Sequence, residues 1–112
     1  MWTILFHPDA EAELNRLPPR ERVALLHAVD KLIALGPTLP FPHQSGVQGM
    51  VNVRELRPRA GRSAWRAFYR RIGDVFVIAA VGPEAEVNKR GFDRAAADAL
   101  TRLADITTEG ET

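Results

Sequence analysis

Seven arginines fall within the 18 residues from Arg54 to Arg71, and Glu55 is the only carboxylate in that span. They are Arg54, Arg57, Arg59, Arg62, Arg66, Arg70 and Arg71. A guanidinium is planar, pairs with two phosphate oxygens at once, and can stack on a base. In a chain whose net charge is only +1, this local excess of cations indicates a polyanion-binding surface. The alternative is a solvated hairpin that arginine keeps soluble.

Strands are predicted to carry these arginines. Residues 51–57 and 64–72 form a hairpin, and residues 75–81 follow as a third strand whose apolar run predicts burial on both faces. Because side chains alternate along a strand, one hairpin face takes Leu56, Trp65, Ala67 and Tyr69 into the core.

The opposite hairpin face is the predicted site. If the helices cover only one face of so small a sheet, Arg57, Arg66 and Arg70 lie exposed around Glu55 and Phe68. Phe68 would then offer a stacking surface for a base. An ion pair between Glu55 and Arg66 over a solvated sheet is the alternative.

The rest of the chain completes an α+β fold in the order β-α-α-β-β-β-α. A strand is predicted at residues 2–6, and two helices follow, from Pro8 to about residue 17 and from Pro19 to about residue 35. Residues 37–50 are predicted to form a loop rich in proline and glycine. A final helix spans about 93–105, with a frayed tail from about 106.

Composition narrows the function classes. The 112 residues suffice for one domain, 1–112, and contain no cysteine, which argues against disulfides and indicates a reducing, cytoplasmic location. No signal peptide or membrane span is evident. The scattered histidines have no metal-ligand spacing, so no metal or cofactor is expected. His43 remains a minor candidate for proton transfer.

Two stretches of sequence resemble a known family. Arg54-Glu55-Leu56-Arg57, followed after a turn by Trp65-Arg66-Ala67-Phe68-Tyr69, is similar to the hairpin of the RelE/ParE toxin superfamily, most of all its phage-derived HigB-like branch. The similarity extends to Leu17-Pro18 between the helices, to Leu35-Gly36-Pro37, to Lys89-Arg90 and to the C-terminal helix. It covers nearly the whole chain.

The resemblance implies a RelE-like fold and the toxin of a type II toxin–antitoxin system. The implied activity is metal-independent cleavage of mRNA, usually on the ribosome. The implied partner is a cognate antitoxin, often with a helix-turn-helix domain, encoded next to the toxin. Arg66 matches the family's phosphate-binding arginine, and Lys89-Arg90 matches a later basic pair. Glu84 stands where RelE has a basic residue after the last strand, and RelE's C-terminal tyrosine has no counterpart.

RNA cleavage without a metal needs a base near the 2′-OH, an acid near the 5′-oxygen and positive charge on the phosphorane. Arg66 and Arg57 are the candidates for charge stabilisation, Lys89 for the proton donor, and Glu55 for a base or an orienter of Arg66. The candidates for RNA binding are Arg54, Arg59, Arg62, Phe68, Arg70 and Arg90. Arg66→Ala should then abolish activity and leave the fold intact. The alternatives are a ParE-like gyrase poison and a degenerate module that only binds an antitoxin.

Overall fold

The protein folds as a five-stranded sheet between two helical layers. Our computed structural model describes residues 1–111, with side chains described as far as Ile106. The strands are β1 (Thr3–Phe6), β2 (Gln44–Gly46), β3 (Arg54–Leu56), β4 (Trp65–Ile72) and β5 (Val75–Pro83). The helices are α1 (Pro8–Asn15), α2 (Pro19–Leu35) and α3 (Lys89–Glu111). In the sheet order β1-β5-β4-β3-β2, β1 runs parallel to β5 and every other neighbouring pair is antiparallel.

Local sequence explains where α1 and α2 begin and end. Each has a proline in its first turn, where the missing N–H costs no hydrogen bond. The ring of His7 accepts a hydrogen bond from the Asp9 backbone N–H at 3.1 Å and caps α1. Gly36 ends α2 with a φ of +53° and lies directly against the Trp2 indole, so a side chain would fit neither the backbone nor the space.

The two faces of the sheet bury two separate cores. Leu25, Leu32, Leu56 and Ile78 belong to the core under α1 and α2. Phe68, Leu103 and three alanines of α3 belong to the core on the other face. The prediction that β5 is covered on both faces is confirmed, and the expectation that the helices cover only one face of the sheet is wrong.

Small residues let α3 lie close to the sheet. A β-bulge between β4 and β5 leaves Ala79 without a register partner, and Ala79 and Ala80 both face α3. Further along β5, a Cβ on Gly82 would lie only 2.5 Å from the Cβ of Ala95. This close approach seats the first turn of α3 over the end of β5.

An ion-pair group, which we call the helix cluster, joins the two helical layers around the edge of the sheet. It consists of Asp9 and Glu13 on α1 and Asp98 and Arg102 on α3. Arg102 donates to both Glu13 carboxylate oxygens at 3.0 Å and to the carbonyl of Ala79 at 2.8 Å. The hydrogen bonds with Glu13 raise the pKa of the Arg102 guanidinium, although its burial opposes the shift.

The predicted α+β class and RelE-like order of helices and strands are confirmed, with one added strand and differences at the element ends. The predicted loop at 37–50 contains β2, because its three residues pair with β3 despite weak strand propensity. α3 begins at Lys89, where the Asn88 side chain caps it by accepting from Gly91 N–H at 2.9 Å, and its backbone continues through the predicted frayed tail to Glu111. Thr112, the end of that tail, lies outside the described residues.

Candidate nucleic-acid interface

Glu55 forms the centre of a buried ionic group on the hairpin. Its Oε1 atom accepts from Nη1 of Arg57 at 2.7 Å and from the Ser45 hydroxyl at 3.3 Å. Nε of Arg66 lies 3.6 Å from the same oxygen. Nη2 of Arg66 lies 3.8 Å from a carboxylate oxygen of Glu84. We call Glu55, Arg57, Arg66 and Glu84 the hairpin cluster.

Arg66 is enclosed by the protein. Its side chain is only 3% exposed, and it donates to three backbone carbonyls: those of Gly61 and Ser63 in the β3–β4 connection and that of Trp65 at the start of β4. Burial lowers the pKa of the Arg66 guanidinium, and the positive charge of Arg57 lowers it further, against the opposing effect of Glu55 and Glu84. As placed, Arg66 orders the turn and the buried carboxylate, and it supplies positive potential from beneath the surface.

Arg57 is the arginine of the cluster that reaches solvent. Its side chain is 21% exposed, and its Nε donates to the carbonyl of Pro42 at 3.0 Å. Gly61 leaves room for it, since a Cβ there would lie 2.6 Å from Nη2 of Arg57. Within the described part of the chain, no group accepts a hydrogen bond from that Nη2. Arg57 is therefore fixed by two bonds and retains donors for an external anion.

The start of α3 adds cations near the same end of the sheet. Arg66 is paired in register with Gly82, and Gly82 lies beneath the first turn of α3. Lys89 in that turn is exposed and pairs with Asp93 at 2.7 Å, while Arg90 is exposed. A helix N-terminus and two cations both favour an anion.

The other predicted RNA-binding arginines do not gather in one place. Arg54 donates to Gln44 at 2.6 Å and lies on the opposite face of the hairpin, beside Tyr69. Arg59 pairs with Glu21 at 2.6 Å, and Arg62 donates to the Arg59 carbonyl at 3.1 Å. Arg70 donates to the backbone carbonyl of Asn52, at 3.1 Å. The structure thus brings together Glu55, Arg57 and Arg66 and leaves the remaining arginines around them.

The expectation of an exposed Phe68 is wrong. Its side chain is fully buried under α3 and packs edge-to-face on Phe92, with 5.1 Å between the ring centroids. It therefore cannot stack on a base while α3 is in place. The expectation that Arg66 lies exposed is wrong for the same reason, because the face that carries it is a second core.

Three residues in or beside the cluster were not predicted as site residues from the sequence. Ser45 and Glu84 bind the cluster's charges, and Phe41 lies beside Arg57 with its ring centroid 5.5 Å from the guanidinium carbon. Ser45 and Phe41 lie in the region predicted to be a loop, so no strand periodicity marked them. Glu84 carried a visible signal, an acidic residue directly after β5.

An open groove of about 510 Å³ runs between α2 and the hairpin. Its floor is apolar, with Val23, Ala28 and Leu56 among its lining residues. Its rim carries the cationic and imidazole groups of Arg20, His27, Lys31, His43, Arg57 and Arg59. His43 is thus placed on the same groove as Arg57, where an imidazole could exchange a proton with a bound ligand.

Two other chemical possibilities have no support in the described residues. Burial raises the pKa of Tyr69, the only tyrosine, to about 12, so this hydroxyl is unsuited to proton transfer near neutral pH. In residues 1–106, no group of three or more histidine or acidic side chains could hold a metal ion. Over the same part of the chain, no helix is long and apolar enough to cross a membrane.

Comparison with known proteins identifies both a family and a fold. Residues 12–82, from α1 to the end of β5, match the family described as "Phage derived protein Gp49-like". A comparison with curated protein sequences gave no match.

Three solved structures share the fold. A double mutant of the Escherichia coli toxin RelE in the free state aligns with a TM-score of 0.65 and 19% identity, over 91% of this chain and 97% of that chain. The E. coli RelBE toxin–antitoxin complex aligns at 0.60 with 20% identity, over 75% and 98%. The RelBE2 toxin–antitoxin complex of Mycobacterium tuberculosis aligns at 0.57 with 22% identity, over 74% and 98%. The predicted RelE-like fold is therefore confirmed.

Proposed function

This chain belongs to the phage-derived Gp49-like family and has the RelE fold, and from that premise we propose that it is the toxin of a type II toxin–antitoxin system. In this proposal it acts in the cytoplasm as an endoribonuclease that cleaves mRNA without a metal, on the ribosome. The observation that carries the proposal is that Arg57 is held in a fixed orientation and retains a free donor. Its guanidinium is oriented by Glu55 and Pro42, and its Nη2 has no acceptor among the described residues.

The proposed chemistry is attack of the RNA 2′-OH on the adjacent phosphate. The phosphorus–oxygen bond to the 5′-oxygen of the next nucleotide breaks, which leaves a 2′,3′-cyclic phosphate and a 5′-OH end. Negative charge grows on the phosphoryl oxygens, and a preoriented guanidinium stabilises it more than water does. Arg57 performs this role, and Arg66 assists through its positive potential from below.

Proton transfer is assigned to groups at the start of α3 and on the groove that Arg57 lines. Lys89 at the start of α3 is the proposed proton donor to the leaving 5′-oxygen, and Arg90 beside it binds the RNA backbone. Glu55 has Arg57, Ser45 and nearby Arg66 around its oxygen, which suits orientation of Arg57 better than proton abstraction. His43, on the groove that Arg57 also lines, is the better placed base.

The proposed partner is a cognate antitoxin, with a helix-turn-helix domain, encoded beside this gene. The groove between α2 and the hairpin supports such a partner, because its apolar floor and cationic rim complement an amphipathic segment that bears carboxylates. A segment bound there would contact Arg57. It would then silence the site directly.

The enclosure of Arg66 favours a second candidate function, in which the chain arrests growth by binding a target without chemistry. A residue that donates to three carbonyls and lies near two carboxylates is not free to meet a phosphate. A toxin that acts only by binding would not need Arg66 to contact a phosphate.

Arg57→Ala tests the assignment. Loss of one preoriented donor to the developing charge should reduce RNA cleavage about 10²- to 10³-fold. The measurement is cleavage of a defined mRNA by the purified chain, with and without ribosomes, alongside growth arrest on induced expression. Co-expression of the neighbouring reading frame should relieve the arrest.

The matched control is Arg16→Ala, which removes an exposed arginine at the end of α1. It should cleave RNA and arrest growth like the wild type. If the wild-type chain arrests growth and cleaves no RNA in either condition, the binding function replaces the enzymatic one. If Arg57→Ala cleaves at the wild-type rate, the site is wrongly assigned.

A further inference from the structure

Phe41 is the only exposed aromatic residue among those whose side chains the structure describes. It is 70% exposed, on the segment between α2 and β2. Single exposed apolar side chains are ordinary, so exposure alone assigns nothing. The position of this ring relative to Arg57 is what distinguishes it, since the guanidinium carbon lies 5.5 Å from the ring centroid.

Hydrogen bonds to backbone carbonyls on both sides hold Phe41 in this position. Nε of Arg57 donates to the carbonyl of Pro42, the next residue, at 3.0 Å. The backbone N–H of Arg57 donates to the carbonyl of His43 at 2.8 Å, and the N–H of His43 donates to the carbonyl of Pro40 at 2.9 Å. The ring and the guanidinium are therefore parts of one ordered unit.

The unit has the two features that recognise a nucleotide. An aromatic ring open to solvent accepts a base by stacking, and it does so with any base because every base has a π-face. The guanidinium that lies over this ring has free donors, which bind the attached phosphate. The contact between Arg57 and the ring also keeps the cation oriented while no ligand is present.

We propose that Phe41 and Arg57 form a nucleotide-binding subsite, in which one base of a single-stranded RNA stacks on Phe41 and its phosphate binds Arg57. This inference rests on the proposed function and adds a binding residue to it. It also replaces the buried Phe68 with an aromatic residue that a base can reach. Stacking without base-edge contacts predicts tight binding with little preference among bases.

The test is RNA affinity, measured by fluorescence anisotropy with the full chain and a short unstructured RNA carrying 2′-O-methyl groups throughout, which cannot be cleaved by its own 2′-OH. Phe41→Ala and Phe41→Leu should each weaken binding about tenfold to a hundredfold, whereas Phe41→Trp should bind at least as tightly as wild type. Leu35→Ala, a change of an exposed apolar residue at the end of α2, is the control and should bind normally.

Salt dependence separates stacking from charge. The slope of log affinity against log salt should be unchanged in Phe41→Leu and should decrease by about 0.7 in Arg57→Ala, which loses one phosphate contact. Wild-type affinity in Phe41→Leu overturns this inference and leaves the proposed function standing if Arg57→Ala is impaired. Phe41 variants that lose only the antitoxin overturn it as well, in favour of a protein contact. A wild-type chain that binds no RNA overturns this inference, and the cleavage assay with ribosomes then decides the proposed function separately.

Discussion

The hairpin cluster and the helix cluster use the same side chains in opposite ways. In the helix cluster a single arginine, Arg102, is surrounded by three carboxylates, and its pKa is raised. In the hairpin cluster two arginines lie close enough for Arg57 to lower the pKa of Arg66. In the helix cluster, the positive charge of Arg102 is fully paired with carboxylates. In the hairpin cluster, Glu55 and Glu84 balance two guanidinium groups that lie close to each other.

The difference indicates which cluster can accept a ligand. An anion near Arg102 would meet an excess of carboxylates, whereas an anion at Arg57 would relieve the repulsion between two guanidinium groups. The protein keeps the two arginines together with Glu55, Glu84 and the carbonyls of the β3–β4 connection. A preoriented guanidinium with a free donor, such as Arg57, is what a reaction with growing negative charge requires.

Arg66→Ala should produce the largest effect on stability. It removes the cation beside Glu84 and the donor to three carbonyls, and it leaves Glu55 with only Arg57 and Ser45. Breaking a buried pair of this kind costs about 3–5 kcal/mol of the free energy of unfolding. Domains of this kind have about 5–15 kcal/mol in total. Urea denaturation monitored by circular dichroism measures the loss in the free energy of unfolding.

Arg70→Ala is the control for that prediction, because it removes one hydrogen bond from a half-buried arginine on the same strand. It should cost about 1 kcal/mol or less. An Arg66→Ala protein as stable as this control would show that Arg66 is not a structural member of the cluster. With the predicted loss, absence of growth arrest in Arg66→Ala would reflect unfolding and could not identify a catalytic residue.

Arg102→Leu should have an intermediate effect on stability and none on the reaction. The side chain is 16% exposed, so the cost should lie between those of exposed and buried ion pairs, about 1–3 kcal/mol. Growth arrest and RNA cleavage below the unfolding temperature should match the wild type. Impaired cleavage in a folded Arg102→Leu protein would contradict the separation between the two clusters.

Glu21→Gln should have the smallest effect, visible only in acid. Hydrogen bonds from Arg59 and Ser63 lower the pKa of the Glu21 carboxyl below its ordinary value of 4.5. The stabilisation is therefore present above pH 4.5 and is lost as the pH falls through the lowered value. The variant should show a shallower loss of stability in that range, by less than about 1 kcal/mol. Asp30→Asn, at an exposed position on α2, should follow the wild-type curve.

Most of the fold could be predicted because local signals and burial agreed. Prolines marked the starts of α1 and α2, and the alternation in β4 correctly separated Ala67 and Tyr69 from Phe68. The unbroken apolar run of β5 predicted burial on both faces. The second face of its neighbour β4 was nevertheless expected to be exposed. The cover is α3, whose buried Ala95 and Ala99 gave a weaker hydrophobic pattern than a leucine face would have given.

The site could be predicted only in part, because its centre depends on tertiary contacts. The pairing of Glu55 with an arginine was foreseen, but the principal partner is Arg57, two residues along the same chain segment, and Arg66 lies farther away. Which arginine keeps a free donor depends on the carbonyls of the connecting loops. Residue type and spacing do not encode that choice.

The hydrogen bonds of Glu13 and Arg102 also have a consequence for how this sheet meets other molecules. β1 ends at Phe6, opposite Ile78, so the last residues of β5 would present bare backbone groups along that border. The Glu13 carboxylate accepts from the Val81 N–H at 3.0 Å, and Arg102 donates to the Ala79 carbonyl. A strand from a second molecule therefore cannot pair there without first displacing an ion pair, which guards this border against edge-to-edge aggregation.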